Sequence, residues 1–134
     1  MRISLFSTGL ALLALGTVAA CTSTPMDSNS PPPSHDVGII QNAASAGPNA
    51  FSPSNLVMSL ATTTKVVWYN GDFTSSSYGT NGTAHRLASD DGTTFTSTNI
   101  APEGTFQATF TAPGTYTYHC QIHSTMTGTV TVNP

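Results

Sequence analysis

Apolar and polar residues alternate in short bursts from about Val37 to Val132, each burst closed by turn-forming residues. In "NLVMSL" the alternation puts Leu56, Met58 and Leu60 on one face, as a half-buried strand requires. "TKVVWYN" is rich in β-branched and aromatic residues and runs into the turn pair Asn70–Gly71. "TFQATF" turns Phe106, Ala108 and Phe110 inward, and "APG" at Ala112–Gly114 then reverses the chain. "TYTYHC" sets Tyr116, Tyr118 and Cys120 on one face and Thr117 and His119 on the other, and "MTGTVTV" ends with Val130 and Val132 in phase. The pair Asp90–Asp91 before Gly92 reads as a turn, and Met58, Trp68, Tyr116 and Tyr118 read as core. No amphipathic helix and no internal repeat is visible. Short strands at this spacing predict an all-β fold, a β-sandwich of roughly 100 residues.

The N-terminus departs from this pattern. "MRISLFSTGLALLALGTVAAC" has one Arg, an apolar run from about Leu10 to Ala20, and small residues before Cys21, the order of a secretory signal. The run is short for a membrane span, which takes about 20 apolar residues. "VAAC" resembles the bacterial lipobox, which implies residues 1–20 as a lipoprotein signal peptide and Cys21 as a lipidated first residue. The Pro- and Ser-rich stretch over residues 21–36 then reads as a flexible tether, with a folded domain over residues 37–134. The expected location is the outer face of a membrane, held by the lipid on Cys21. Thr22 lacks the Asp that resembles an inner-membrane retention signal, which favours the outer membrane in a cell that has one.

Only 7% of the residues are charged, while Thr, Ser, Gly and Pro abound. Arg2 falls in the leader, so Lys65 and Arg86 alone face six acids. Nothing basic is left to hold a phosphate backbone, which excludes nucleic acid as a partner. Low charge also gives little long-range steering, so partner recognition is expected to rest on short-range contacts and a monomer is the expected state.

With Cys21 committed to lipid, Cys120 has no partner for a disulfide in an oxidising compartment. It stands in "YHCQIHSTM", which gathers Cys120, His123 and Met126 at the end of a strand and in the loop after it. Thiolate, imidazole and thioether are soft donors, a mixture that selects copper over magnesium, calcium or manganese. A blue-copper centre needs a second imidazole. His35 lies in the tether, and His119 points to the face opposite Cys120. His85, in "TAHRLASDDG", belongs to an earlier segment able to reach the same end of a sandwich, and is the ligand expected here.

"KVVWYN", "GTAHRLASDDGTTF" and "APEGTFQATFTAPGTYTYHCQIHSTMTGTVTV" together resemble the cupredoxins, the small type 1 blue copper proteins of plastocyanin and amicyanin kind. The resemblance runs from Phe51 to Val132 and implies an antiparallel Greek-key β-sandwich holding one copper ion on His85, Cys120, His123 and Met126. The Cys-x2-His-x2-Met spacing resembles the short ligand loop of amicyanin-like members rather than the longer one of plastocyanins. Asn70 resembles the family's Asn that ties the two ligand-bearing segments together behind the ligands. Between Asn70 and His85 the stretch "GDFTSSSYGTNGTA" is longer than the family's usual connection, and residues 71–83 with Phe73 and Tyr78 are expected to form a flap at the copper end.

The function these residues imply is one-electron transfer, with redox proteins docking at the copper end beside His123 and Ile122. A copper-binding or copper-delivery protein without an electron-carrier role is the alternative. An enzyme is not expected. Copper nitrite reductases and multicopper oxidases bridge centres through histidines around the cysteine, whereas Gln121 follows Cys120 here and no further histidine cluster exists.

Overall fold

The computed structural model describes residues 32–134 apart from 63, 64, 77 and 78. The proposed leader, Cys21, the tether as far as residue 31 and Tyr78 lie outside the described residues.

Among the described residues, ten strands and one α-helical turn follow one another, with a 3-10 turn at Gly47–Asn49 besides. They are β1 (Val37–Ile39), α1 (Ala43–Ala46), β2 (Phe51–Ser52), β3 (Asn55–Ser59), β4 (Lys65–Asn70), β5 (Phe73–Ser76), β6 (Gly79–Gly82), β7 (Leu87–Ser89), β8 (Thr105–Thr109), β9 (Gly114–Cys120) and β10 (Thr127–Asn133). One sheet has the order β2-β1-β4-β8 and the other β3-β10-β9-β7, and β5 and β6 pair separately as a hairpin. The sandwich is therefore as the alternation predicts. Each sheet also contains one parallel pair, β1 with β4 and β3 with β10, because β1 and β3 join strands far along the chain rather than their neighbours.

Period-two patterning accounts for the core. Val66, Trp68 and Asn70 of β4, Ala108 of β8, Tyr118 and Cys120 of β9, and Val130 and Val132 of β10 are all buried between the sheets. Trp68 sits at the centre, with ring centroids 5.2 Å from Phe95, 5.5 Å from Phe106 and 5.6 Å from Tyr118. Tyr118 can lie flat across β10 only because its cross-strand partner is Gly128, where a Cβ would come within 2.4 Å of the phenol oxygen. Burial pushes the Tyr118 hydroxyl up to about 12, so it stays protonated and neutral.

Two elements differ from the sequence pattern. α1 is a single four-residue turn, too short to show a helical period. The stretch after Asn70 is a regular hairpin, with Phe73 opposite Gly82 and Ser76 opposite Gly79. Its residues are almost all small and polar and its β6 is exposed throughout, so no apolar alternation marks it as strand. Side-chain bonds hold it to the body: Gln41 Nε2 donates to the Phe73 carbonyl at 3.1 Å and Thr80 Oγ1 donates to Glu103 at 3.2 Å.

The last residues before β1 are not loose. Asp36 exchanges hydrogen bonds with the Val67 backbone, donating at 2.9 Å and accepting through its carboxylate at 2.8 Å. His35 stacks on Tyr69 at 5.1 Å.

Candidate metal centre

Two elements converge at one end of the sandwich. β9 ends at Cys120, and its pleat turns that side chain into the core. The loop that follows is closed on itself by backbone bonds: Cys120 N–H donates to the Met126 carbonyl at 3.0 Å and Met126 N–H to the His123 carbonyl at 2.9 Å. His123 and Met126 are thereby folded back toward the cysteine, and Met126 is fully buried while His123 is half-buried. The opposite wall comes from the short bridge before β7, where His85 and Ile100 exchange backbone hydrogen bonds of 3.1 and 2.7 Å. Gln121 N–H donates to the Arg86 carbonyl at 2.7 Å and Leu87 pairs with Cys120, so the two walls are stitched together beside the ligands.

Cys120 Sγ lies 3.7 Å from His85 Nδ1 and 3.8 Å from His123 Nδ1. The donor atoms of the three residues all fall within 4.8 Å of one another. Donors at about 2.0 Å (imidazole) and about 2.3 Å (thiolate) from one ion stand about 3.7 Å apart when the angle between them is near 120°. The observed spacing is that of a trigonal pair of imidazoles around a thiolate, and the residues fit a copper ion with the buried thioether of Met126 closing the loop that carries Cys120 and His123.

Electrostatics prepare the thiolate. Burial works to raise the Cys120 thiol, but the His85 hydrogen bond and the backbone N–H groups of Arg86, His123 and Ile122 outweigh it and bring it down to about 6. For His85, burial disfavours the imidazolium, while its bonds to Cys120 and Asp72 overcome that and hold the pKa above the ordinary value. In the metal-free protein the ultraviolet absorbance of the thiolate is therefore expected to develop near pH 6, well below the usual thiol range. An ordinary thiol titration around pH 9 would contradict the described network. The linkage follows the same sign: this depressed acid stabilises the apoprotein above its unfolded pKa near 9, and the contribution is lost as pH falls through about 6.

Among the described residues, those singled out in the sequence have definite places. His85, Cys120 and His123 come together, and Met126 is buried at the end of the loop that carries Cys120 and His123. His119 turns away, as its strand position predicts, and pairs with Asp90 at 2.6 Å. His35 is occupied against Tyr69. Asn70 is fully buried; its amide donates to the carbonyls of Thr83 at 2.8 Å and Ile100 at 2.9 Å, and its oxygen accepts from Asp72 N–H at 3.0 Å. Those bonds tie β4 to the His85 segment rather than to the Cys120 loop. Asp90 and Asp91 form the expected turn, with Asp91 accepting from the backbones of Thr93 and Thr94 at 2.9 Å each.

Sequence reasoning missed Asp72. It is buried, and its carboxylate stands 3.0 Å from His85 Nε2, the ring nitrogen facing away from Cys120. The available signal was an acid two residues after Asn70 in a chain with few charges.

The family model of the cupredoxin-like domain matches residues 11–132, nearly the whole chain. The chain belongs to the cupredoxin-like domain family. Among solved structures, this cupredoxin is similar to a purple cupredoxin from Nitrosopumilus maritimus, at 25% identity and a TM-score of 0.59 over 75% of this chain and all of that one. It is also similar to a copper-containing nitrite reductase from Thermus scotoductus SA-01, at 28% identity and a TM-score of 0.51, over 63% of this chain but only 20% of the reductase. An amicyanin mutant in its Cu(I) form is 24% identical with a TM-score of 0.47, over 60% of this chain and 70% of that one. No curated protein matches the chain. The cofactor of this cupredoxin is one copper ion, for which His85, Cys120, His123 and Met126 are arranged as a site.

Proposed function

We propose that this cupredoxin is a type 1 blue copper electron carrier, held outside the cytoplasm on a membrane through lipid on Cys21. The observation that carries the reading is the position of Cys120 Sγ, at nearly equal distances from two imidazole nitrogens. Bound copper supplies the one-electron Cu(II)/Cu(I) couple, and the protein sets what that couple costs. Three donors come from two backbone-stitched elements, so the chain holds them in one geometry whichever charge they face. Met126, with no exposed surface, keeps water from that side. His123 is half-buried and its neighbour Ile122 is exposed, which gives a redox partner an apolar contact beside a ligand edge.

An enzymatic role has less support. The nitrite reductase is matched over only a small part of its length, and His119, the residue that could lead from Cys120 to a second centre, is turned outward onto Asp90. Copper delivery is the other reading, and electrochemistry separates the two. Voltammetry of the copper-loaded protein is expected to give a reversible one-electron wave. A protein that shows no wave but hands copper rapidly to an apo-acceptor would be a delivery protein instead.

A further inference from the structure

We propose that Asp72 is a positioning residue for His85, holding the ring with Nδ1 toward Cys120 and biasing the centre toward Cu(II). This inference rests on the copper reading above and adds a residue to it. Asp72 Oδ2 stands 3.0 Å from His85 Nε2 in a buried contact. A carboxylate can only accept there, so Nε2 keeps its hydrogen, and Nδ1, 3.7 Å from the sulfur, is the nitrogen that gives up its proton and turns its lone pair to a metal.

Both carboxylate oxygens are engaged, and the backbone of Asp72 is fixed as well. The other carboxylate oxygen accepts from Asn42 N–H at 2.7 Å, and Asn42 presents that N–H from a left-handed backbone conformation with φ of 59°. The Asp72 backbone donates to Asn70 Oδ1 at 3.0 Å and accepts from Thr83 N–H at 3.0 Å. Position 82 must be small, because a Cβ there would meet the Asp72 carbonyl oxygen at 2.5 Å. On the side away from His85 lies a polar cavity of about 210 Å³ lined by Gln41, Asn42, Thr74, Asn81 and Thr83, all neutral. No cation lines that cavity to compete for the carboxylate, so its charge is directed at the imidazole.

The hairpin β5–β6, expected from the sequence as a flap at the copper end, thus begins immediately after Asp72, the residue that supports a ligand, and its Phe73, Thr74, Asn81 and Gly82 line the cavity beside that residue. A charged acceptor behind a metal-bound imidazole makes it a stronger donor and favours the more highly charged ion; losing such a partner commonly costs 10- to 100-fold in metal affinity.

The test compares wild type with Asp72→Asn and Asp72→Ala, measuring Cu(II) and Cu(I) affinities, the reduction potential, and the melting of each apoprotein. Asn keeps an oxygen for Nε2–H and removes the charge; Ala removes both. The expected result for Asp72→Asn is a blue protein whose Cu(II) affinity falls about tenfold more than its Cu(I) affinity, which raises the potential by about 59 mV. Asp72→Ala is expected to lose Cu(II) affinity further, toward the 100-fold end. Variants that melt lower but keep the wild-type potential and affinity ratio would show a structural role only and overturn the proposal. A wild type that takes up no copper would overturn the copper reading together with it.

Discussion

Asn70→Ala is expected to destabilise the apoprotein by about 3 kcal/mol. The amide is completely buried and serves three backbone groups: the carbonyls of Thr83 and Ile100 and the N–H of Asp72. Removing it leaves all three without that partner in a dry environment, at about 1–3 kcal/mol for each group that finds no substitute, and opens a small cavity besides. For a domain of this size the melting point is expected to fall by roughly 15 °C. The denaturant midpoint should drop with an unchanged m-value, since the loss is local. Copper affinity should suffer as well, because Ile100 is the backbone partner of His85 and Asp72 is its side-chain partner. A variant within about 0.5 kcal/mol of wild type would mean that these bonds are made in solution by something else.

Cys120→Ser produces the opposite pattern. Serine nearly matches cysteine in shape, and backbone N–H groups of Arg86, Ile122 and His123 already surround the sulfur, so the hydroxyl oxygen finds donors. The apoprotein should lose no more than about 1 kcal/mol. The metal site, by contrast, loses its one thiolate. Copper affinity is expected to fall by more than about 100-fold, beyond the usual effect of removing a residue that merely supports a ligand, and the intense visible colour should disappear altogether. The two variants therefore separate the frame from the site: one unfolds early and still colours weakly, the other folds and stays colourless.

The contrast between what alternation reveals and what it hides is physical. Strands buried on one face announce themselves: Phe106, Ala108 and Phe110, or Tyr118 and Cys120, repeat every second residue because the sheet pleats that way. The ligand loop was legible for a different reason. Soft donors are rare in this chain, and their spacing at Cys120, His123 and Met126 has no purpose in an ordinary turn. His85 was found by elimination among few histidines, and its Nδ1 stands 3.7 Å from the sulfur.

What stayed hidden depends on long-range pairing. Apart from Phe73 the strands of the β5–β6 hairpin are small and polar, so they carry no alternating signature, and the parallel pairings of β1 and β3 follow from topology rather than local pattern. Asp72 shows the same limit at the site. Its role comes from meeting His85 across 13 positions of sequence and Asn42 across 30. A run reading Asn-Gly-Asp looks like a turn, and turn chemistry would have been an adequate reason for the aspartate.

Titrating the purified apoprotein with Cu(II) and following visible absorption shows whether His85, Cys120, His123 and Met126 hold one copper ion. An intense blue-to-violet band that saturates at one equivalent and is absent from Cys120→Ser is the expected result. Only the faint colour of ordinary cupric complexes, or a band of equal strength in the serine variant, would contradict it.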